Sequence, residues 1–306
     1  MNELRSIQYL SNDKIDKAKW DHCIETAANG LIYAYSWYLD KMADHWDGIV
    51  MGDYEMVMPL PWRRKMGIFY LYQPAFVAQL GLFGNGVSKD ALVQFFAAIP
   101  GKFKYWDMPL NMDNKYDINE FHLNERANFI LRLHKPYNEL YKGYRENNRR
   151  NIKRAQGYSC VVKTGIDLNE IIALANDQPQ QGQTLEQDFA HFRTIYDELH
   201  QEEKARSYGV YSSQGQLLAS CALLYSHNRW YYLLVGNHPN GRTLGASHLL
   251  IDAIIKDLAG KNVILDFEGS DIRNLAFFYS GFGGHQENYT TVRLNRLPWY
   301  LKWAKA

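Results

Sequence analysis

The chain has 306 residues, 46% hydrophobic and 22% charged, enough for two ordinary domains or one large one. Its 34 Lys and Arg against 33 Asp and Glu leave a formal charge of +1, so no global field draws it to nucleic acid or an anionic bilayer, and any such attraction has to be local. The 22 Tyr and 8 Trp are apolar in body and polar at the tip, which suits broad sheet faces and half-wet grooves alike.

Cys23, Cys160 and Cys221 stand far apart, without CxxC or metal-ligand spacing, the usage of a reduced, cytoplasmic protein. The opening MNELRSIQYLSNDK lacks the apolar core of a signal peptide, and no apolar run reaches the roughly 18 to 20 residues that span a bilayer.

In chain order, Ile15, Ala18, Cys23 and Ile24 are spaced for a helix over 14–26, and Ser36 caps a second through about His45. Short strands follow over 48–51, 56–60 and 68–72, with Pro59, Pro61 and Pro74 as their stops. Ser88 caps a helix that ends near Pro100, and 102–106 is extended again. After a polar stretch over 111–124, 129–133 is a strand, and Pro136 opens one long helix, 137–156, closed by Gly157. A strand over 159–163 and helices over 169–175 and 184–200 precede three strands, 205–211, 217–225 and 230–235. A helix over 245–259, a strand over 263–267, a helix over 273–279 and a final strand over 289–294 complete the order. An antiparallel meander joined to βαβ-like units argues for a mixed sheet covered by helices, an α/β (α+β) fold.

The stretch Val235–Gly–Asn–His–Pro–Asn–Gly–Arg–Thr–Leu–Gly–Ala–Ser247 carries the strongest chemical signal. It joins a strand to an amphipathic helix, where the first N–H groups lack intrahelical partners and the dipole favours an anion. Gly241 and Gly245 permit close backbone approach, and Arg242 supplies a fixed cation. Glycines entering a helix also occur as plain loops.

Here the chain resembles the GNAT acyltransferase superfamily, on Pro239, Arg242, Gly245 and Ser247, and on Tyr279, Phe282 and Gly283 farther on. Thr243 stands where the family commonly has Gly, and Asn274 lies two positions nearer Tyr279 than the usual Asn. The run Leu265–Asp–Phe–Glu–Gly–Ser270 and the basic helix 144–155 resemble the FemA/FemB-related branch, in which two GNAT-like domains occur in tandem. The resemblance implies a degenerate GNAT-like domain over 1–126 and an acyltransferase domain over 127–306, with a cleft at the split sheet or between the domains. It implies that Asn237, Gly241, Arg242, Thr243, Leu244, Gly245, Ala246 and Ser247 hold the pyrophosphate of an acyl-CoA co-substrate, with no metal. Relatives use acyl-CoA or aminoacyl-tRNA to acylate amines, peptidoglycan precursors among them, and a degenerate site would leave a noncatalytic ligand-binding protein.

Glu268 falls at the carboxy end of a strand, the edge where α/β sheets hold ligands, and a carboxylate there can take the proton an attacking amine must lose. Asp266 stands behind it, on the same face by alternation, with Ser270 beside it and Tyr289 farther on; these three form the expected substrate side. The same carboxylates would also serve to bind loop amides. Tyr279 matches the superfamily residue that protonates the leaving thiolate, and is equally placed for an aromatic core. Tyr70, Tyr72, Gln73 and Phe76 lie on a strand and loop placed either to shape the acceptor side or to pack the core. His248 follows the loop directly, where the dipole disfavours a protonated ring, and reads as structural. Lys142, Arg145, Arg149, Arg150, Lys153 and Arg154 form a basic helix face over an inward stripe of Tyr144, Asn148, Ile152 and Ala155; it is a solvated face or a contact for donor phosphates or tRNA. With no GxSxG, HExxH or Walker loop, direct attack in a ternary complex is expected.

Overall fold

The computed structural model describes residues 6–118, 120–177, 185–268 and 273–299. Its contacts divide the chain into two compact units, Met1–Arg126 with Asn288–Ala306, and Ala127–Glu287.

The first unit runs β1 (Ile7–Leu10), α1 (Lys17–Thr26), α2 (Ser36–Met42), β2 (Trp46–Met51), β3 (Met56–Lys65), β4 (Ile68–Leu71), β5 (Phe83–Gly84), α3 (Lys89–Ala98), β6 (Phe103–Pro109) and β7 (His122–Arg126). Side-chain caps start two of these helices: Asp16 accepts from the Lys19 N–H and Ser88 from the Ala91 N–H. Pro59 and Pro61 do not stop a strand, because β3 runs through both. The Trp62 N–H donates to His45 on the β2 side, so the odd-numbered nitrogens of Pro59 and Pro61 face the opposite edge. Pairing there covers only Met56–Val57 and resumes at the Pro61 carbonyl, which accepts from the Tyr72 N–H, so Pro59 costs no ladder bond and Pro61 at most one at the ladder's end. Ile49, Met58, Leu60, Phe95, Phe96 and Trp106 belong to the core that α3 closes over this sheet.

The second unit runs β8 (Phe129–Arg132), α4 (Tyr137–Lys142), α5 (Glu146–Gly157), β9 (Val161–Thr164), α6 (Leu168–Asn176), α7 (Glu186–Gln201), β10 (Ala205–Tyr211), β11 (Leu217–Ser226), β12 (Arg229–Asn237), α8 (Pro239–Leu244), α9 (Ala246–Leu258), β13 (Ile264–Asp266), α10 (Arg273–Ser280) and β14 (His285–Gln286). The expected start of α7 at Thr184 lies outside the described residues. The sheet order is β14-β8-β13-β12-β11-β10-β9, antiparallel except for the parallel pair β12–β13. One face carries the core in which Leu249, Leu250, Ile254 and Leu258 of α9 meet Tyr208, Leu223, Trp230 and Tyr232 of the sheet. Burying an aliphatic side chain of this size contributes about 1.5 to 3 kcal/mol, so α9 is held chiefly by this stripe.

Two sequence expectations need correcting. The helix expected over 137–156 is two helices, with Pro136 as N-cap of the first. The chain breaks at Gly143–Arg145, where the Arg145 N–H leaves the helical path to donate to the Gly281 carbonyl at 2.8 Å. The final strand, β15 (Tyr289–Asn295), does not extend the second unit's sheet. It pairs antiparallel with both β6 and β7 in the first unit. The structure is thus mixed α/β, with one mixed sheet in each unit.

Candidate active site

The second unit's parallel pair sets the site. β12 pairs with β13 over only three positions, Arg229↔Ile264, Trp230↔Leu265 and Tyr231↔Asp266, and then continues to Asn237 beside β11 alone among the described strands. Leu233 has no residue opposite it on β11, because Tyr232 faces Leu223 and Leu234 faces Ala222. This bulge bends β12 just where its other neighbour leaves it. A strand with a free edge beyond a bulge, at the carboxy end of a parallel pair, is where an α/β sheet offers backbone groups to a ligand.

The segment after β12 is more ordered than an open loop. His238 caps α8 by accepting the Asn240 N–H on Nδ1 at 3.1 Å, and Pro239 takes the first helical position, where no N–H is needed. α8 closes at Gly245, whose φ of +80° is left-handed, and α9 starts at the next residue. The two glycines serve the fold's own packing. A Cβ at Gly241 would lie 2.4 Å from the Leu218 carbonyl oxygen, and one at Gly245 2.4 Å from that of Asn151. Both are buried, so the close approach they permit is to β11 and α5. Ser247 Oγ donates to Asn237 Oδ1 at 2.6 Å, fastening the first turn of α9 to the end of β12. Ala246 is buried and Leu244 half-buried, while Arg242 and Thr243 are exposed.

The basic helix α5 runs alongside. Arg154 donates to the Thr243 carbonyl at 3.3 Å, and Asn151 Nδ2 lies 3.5 Å from His248 Nε2. Its other end is fixed to α10, where Asn148 sits against Gly281 and the Arg145 guanidinium stacks over Phe277 at 4.6 Å. Tyr144, Asn148, Ile152 and Ala155 are its buried stripe, as the spacing predicts. Lys142, Arg145, Arg150, Lys153 and Arg154 are exposed and Arg149 is half-buried. Burial holds His248 low, at about 4, so the ring is neutral and packs edge-on to Phe278.

Tyr279 lies under the parting strands. Its ring stacks on Phe267 at 4.5 Å and meets Tyr232 edge-on at 6.4 Å. Burial first, then the neighbouring Cys221 and the Glu268 carboxylate, push its phenol well above the ordinary tyrosine range. It therefore carries its proton throughout the neutral range. Glu268, half-buried, has a left-handed backbone with φ +53°, and its N–H donates to Asp266 Oδ1 at 3.0 Å. That conformation ends the strand alternation expected to put Asp266 and Glu268 on one face.

Asp266 is buried and held by hydrogen bonds within the unit. It is 1% exposed and also accepts from Asn128 Nδ2 at 2.8 Å and from Arg229 Nη1. Burial disfavours the Arg229 charge, but Asp266, and Glu287 at 2.9 and 3.4 Å, hold it protonated. Tyr289 lies on β15 in the first unit, buried and opposite Arg126. Ser270 lies outside the described residues. In the first unit, Tyr72 donates to Asp44 under the Arg63 guanidinium and Gln73 donates to the Val77 carbonyl, so both serve local structure. Tyr70 stands edge-on to Tyr72, and the Phe76 carbonyl accepts from Tyr38 at 2.6 Å.

Sequence reasoning missed Arg229, Asn128, Glu287 and Tyr232. For Arg229 a signal existed: it is the one charge at the head of the otherwise uncharged strand Arg–Trp–Tyr–Tyr–Leu–Leu–Val–Gly–Asn.

Residues 142–271, which span α5 through the end of β13, match the family model described as an acetyltransferase (GNAT) domain. The matched region accordingly has a GNAT-type fold. Among solved structures, the chain is similar to FemX at 14% identity and a TM-score of 0.65, over 92% of this chain and 96% of that one. It is similar to a tandem GNAT protein from the clavulanic acid biosynthesis pathway at 12% identity and 0.56, over 96% and 99%. A conserved protein of unknown function from Bacteroides thetaiotaomicron VPI-5482 matches at 13% and 0.59, over 94% and 99%. At these identities the likeness is one of fold. No curated protein matches the chain.

Proposed function

We propose that the second unit is an N-acyltransferase that binds an acyl-CoA where β12 leaves β13 and passes the acyl group directly to an amine. The observation that carries this reading is the three-residue pairing of β12 with β13, followed by a bulged edge without a partner among the described strands, which leads into the α8–α9 turn. The residues there suit such a co-substrate. The unpaired edge of β12 offers backbone groups to a pantetheine arm, the start of α9 offers its dipole, and Arg242 and Arg154 add exposed cations beside it for phosphate. The acyl thioester would supply the activated carbonyl. Glu268 takes the proton from the attacking amine, directly or through water, and Tyr279, protonated at neutral pH, gives one to the departing sulfur.

Release of free thiol from acetyl-CoA in the presence of a panel of primary amines tests this. Glu268→Gln is expected to lower turnover about 100-fold, the usual worth of one general base, while donor affinity stays unchanged. Unchanged turnover in that variant removes Glu268 from the mechanism.

A second reading, transfer from an aminoacyl-tRNA as in a FemA/FemB-like enzyme acting on a peptidoglycan-type amine, is favoured by the position of α5. Its exposed basic residues lie beside the α8–α9 turn, where an acceptor stem would have to approach. Binding of charged tRNA that weakens steeply with salt, without competition from acetyl-CoA, would favour it over the first.

A further inference from the structure

Glu268 is a non-glycine residue in the left-handed region, with φ +53° at the end of a strand. Such a conformation persists only where the surroundings over-determine it. The Glu268 N–H donates to Asp266 Oδ1 at 3.0 Å, two residues back, closing the turn. Asp266 is in turn fixed from three segments of the second unit. Asn128, ahead of β8, donates to Oδ1 at 2.8 Å; Arg229, at the head of β12, donates to Oδ2; and Glu287, after β14, holds the guanidinium from its far side. The side chains of Asp266 and Arg229 are 1% and 5% exposed. A buried ion pair of this kind contributes little net stability relative to well-packed apolar residues, so its distinctive output is geometry. That geometry is handed on through one hydrogen bond, to the backbone of Glu268.

We infer that Asp266 is a positioning residue: locked by Arg229 and Asn128, it sets the left-handed turn that delivers the Glu268 carboxylate to the acyl-transfer site. The inference rests on the reading of Glu268 as the base. By unbroken strand alternation Glu268 would share the face of Asp266, away from Phe267 and Tyr279 in the core, and the left-handed backbone at Glu268 breaks that alternation. Asp266 itself never touches substrate.

A double-mutant cycle in the full-length protein separates this role from a merely structural one. Turnover is measured with acetyl-CoA and whichever amine supports thiol release, for wild type, Asp266→Ala, Glu268→Gln and the double variant. Asp266→Ala and Glu268→Gln are each expected to lower kcat about 100-fold. If Asp266 acts through Glu268, the double variant falls no further than Glu268→Gln alone, within about 3-fold, and affinity for acetyl-CoA is unchanged in all four. Losses that multiply in the double variant, or full turnover in Asp266→Ala, overturn the inference and leave Glu268 as base. Full turnover in Glu268→Gln overturns both. Should Asp266→Ala fail to fold, Asp266→Asn enters the same cycle. Its amide oxygen still accepts the Glu268 N–H, but the charge that locks Arg229 is gone, so a smaller loss is expected, again absent in the Glu268→Gln background; an additive loss overturns the proposal.

Discussion

Gly245 answers two demands at one position. Its φ of +80° disfavours any side chain, and a Cβ would stand 2.4 Å from the Asn151 carbonyl oxygen of α5. Gly245→Ala therefore pays both strain and a backbone displacement, and is expected to lower the unfolding free energy by roughly 2 kcal/mol or more and to weaken donor binding; denaturant unfolding and calorimetry check the two effects. His248 makes a pH prediction. Its folded value, about 4, lies below the ordinary 6.5 because the ring is buried. Below pH 6.5 the unfolded chain takes up a proton that the folded ring refuses. The stability is therefore fully present above about 6.5 and is lost as pH falls toward 4, by at most about 3 kcal/mol. Urea unfolding of wild type and His248→Gln across that window should show a slope in the first that is shallower in the second; equal slopes refute the assignment. At this scale the spacing of Pro239, Arg242, Gly245 and Ser247 was readable in sequence, because one local turn imposes it. The setting of Asp266 was not, since Asn128 and Arg229 approach it, and Glu287 approaches Arg229, from three distant segments.

Among the elements, the parting of β12 and β13 does most to define the site, and α5 does most to shape its charge. Helix α5 is fixed at one end by Arg145 and Asn148 against α10 and reaches the α8–α9 turn at the other through Arg154. If its exposed cations serve donor phosphates, Arg154→Ala and Arg242→Ala should each weaken acetyl-CoA binding several-fold at low salt, and less so as ionic strength rises. Calorimetry at two salt concentrations reads this directly; affinities equal to wild type at low salt would leave the face merely solvated. Helix–strand order in the second unit was legible because its periodicities are clean and its turns polar. The split of 137–157 into two helices was not, because the break is made by a tertiary hydrogen bond from the Arg145 N–H to Gly281 and no residue in the segment demands it. Likewise β3 passes Pro59 and Pro61 because their nitrogens face the gap and the first bond between its pairings with β5 and β4, a fact of sheet order and not of composition.

At the scale of the whole molecule, the chain leaves the first unit at Arg126 and returns to it after Glu287. The return strand β15 lies between β6 and β7 and bonds to both, so it closes the first unit's sheet after the second unit is complete. A chain ending at Glu287 is expected to lose hydrogen-exchange protection in β6 and β7 while β10, β11 and β12 keep theirs; loss across all of them would contradict this division. The expected domain of 127–306 followed sequence order, which cannot reveal that the last strand finds its partners 163 to 190 residues earlier along the chain, from Tyr289↔Arg126 to Asn295↔Tyr105.

The central claim is that the site where β12 and β13 part holds an acyl donor by its phosphates and pantetheine arm. Calorimetric titration of the full-length protein with acetyl-CoA, set beside free CoA and charged tRNA, tests it most directly. Saturable one-to-one binding of acetyl-CoA, competed for by free CoA and weakened by Gly245→Ala, is expected. Absence of binding by acetyl-CoA and CoA at millimolar concentration would contradict it, and binding of charged tRNA alone would transfer the site to the aminoacyl reading.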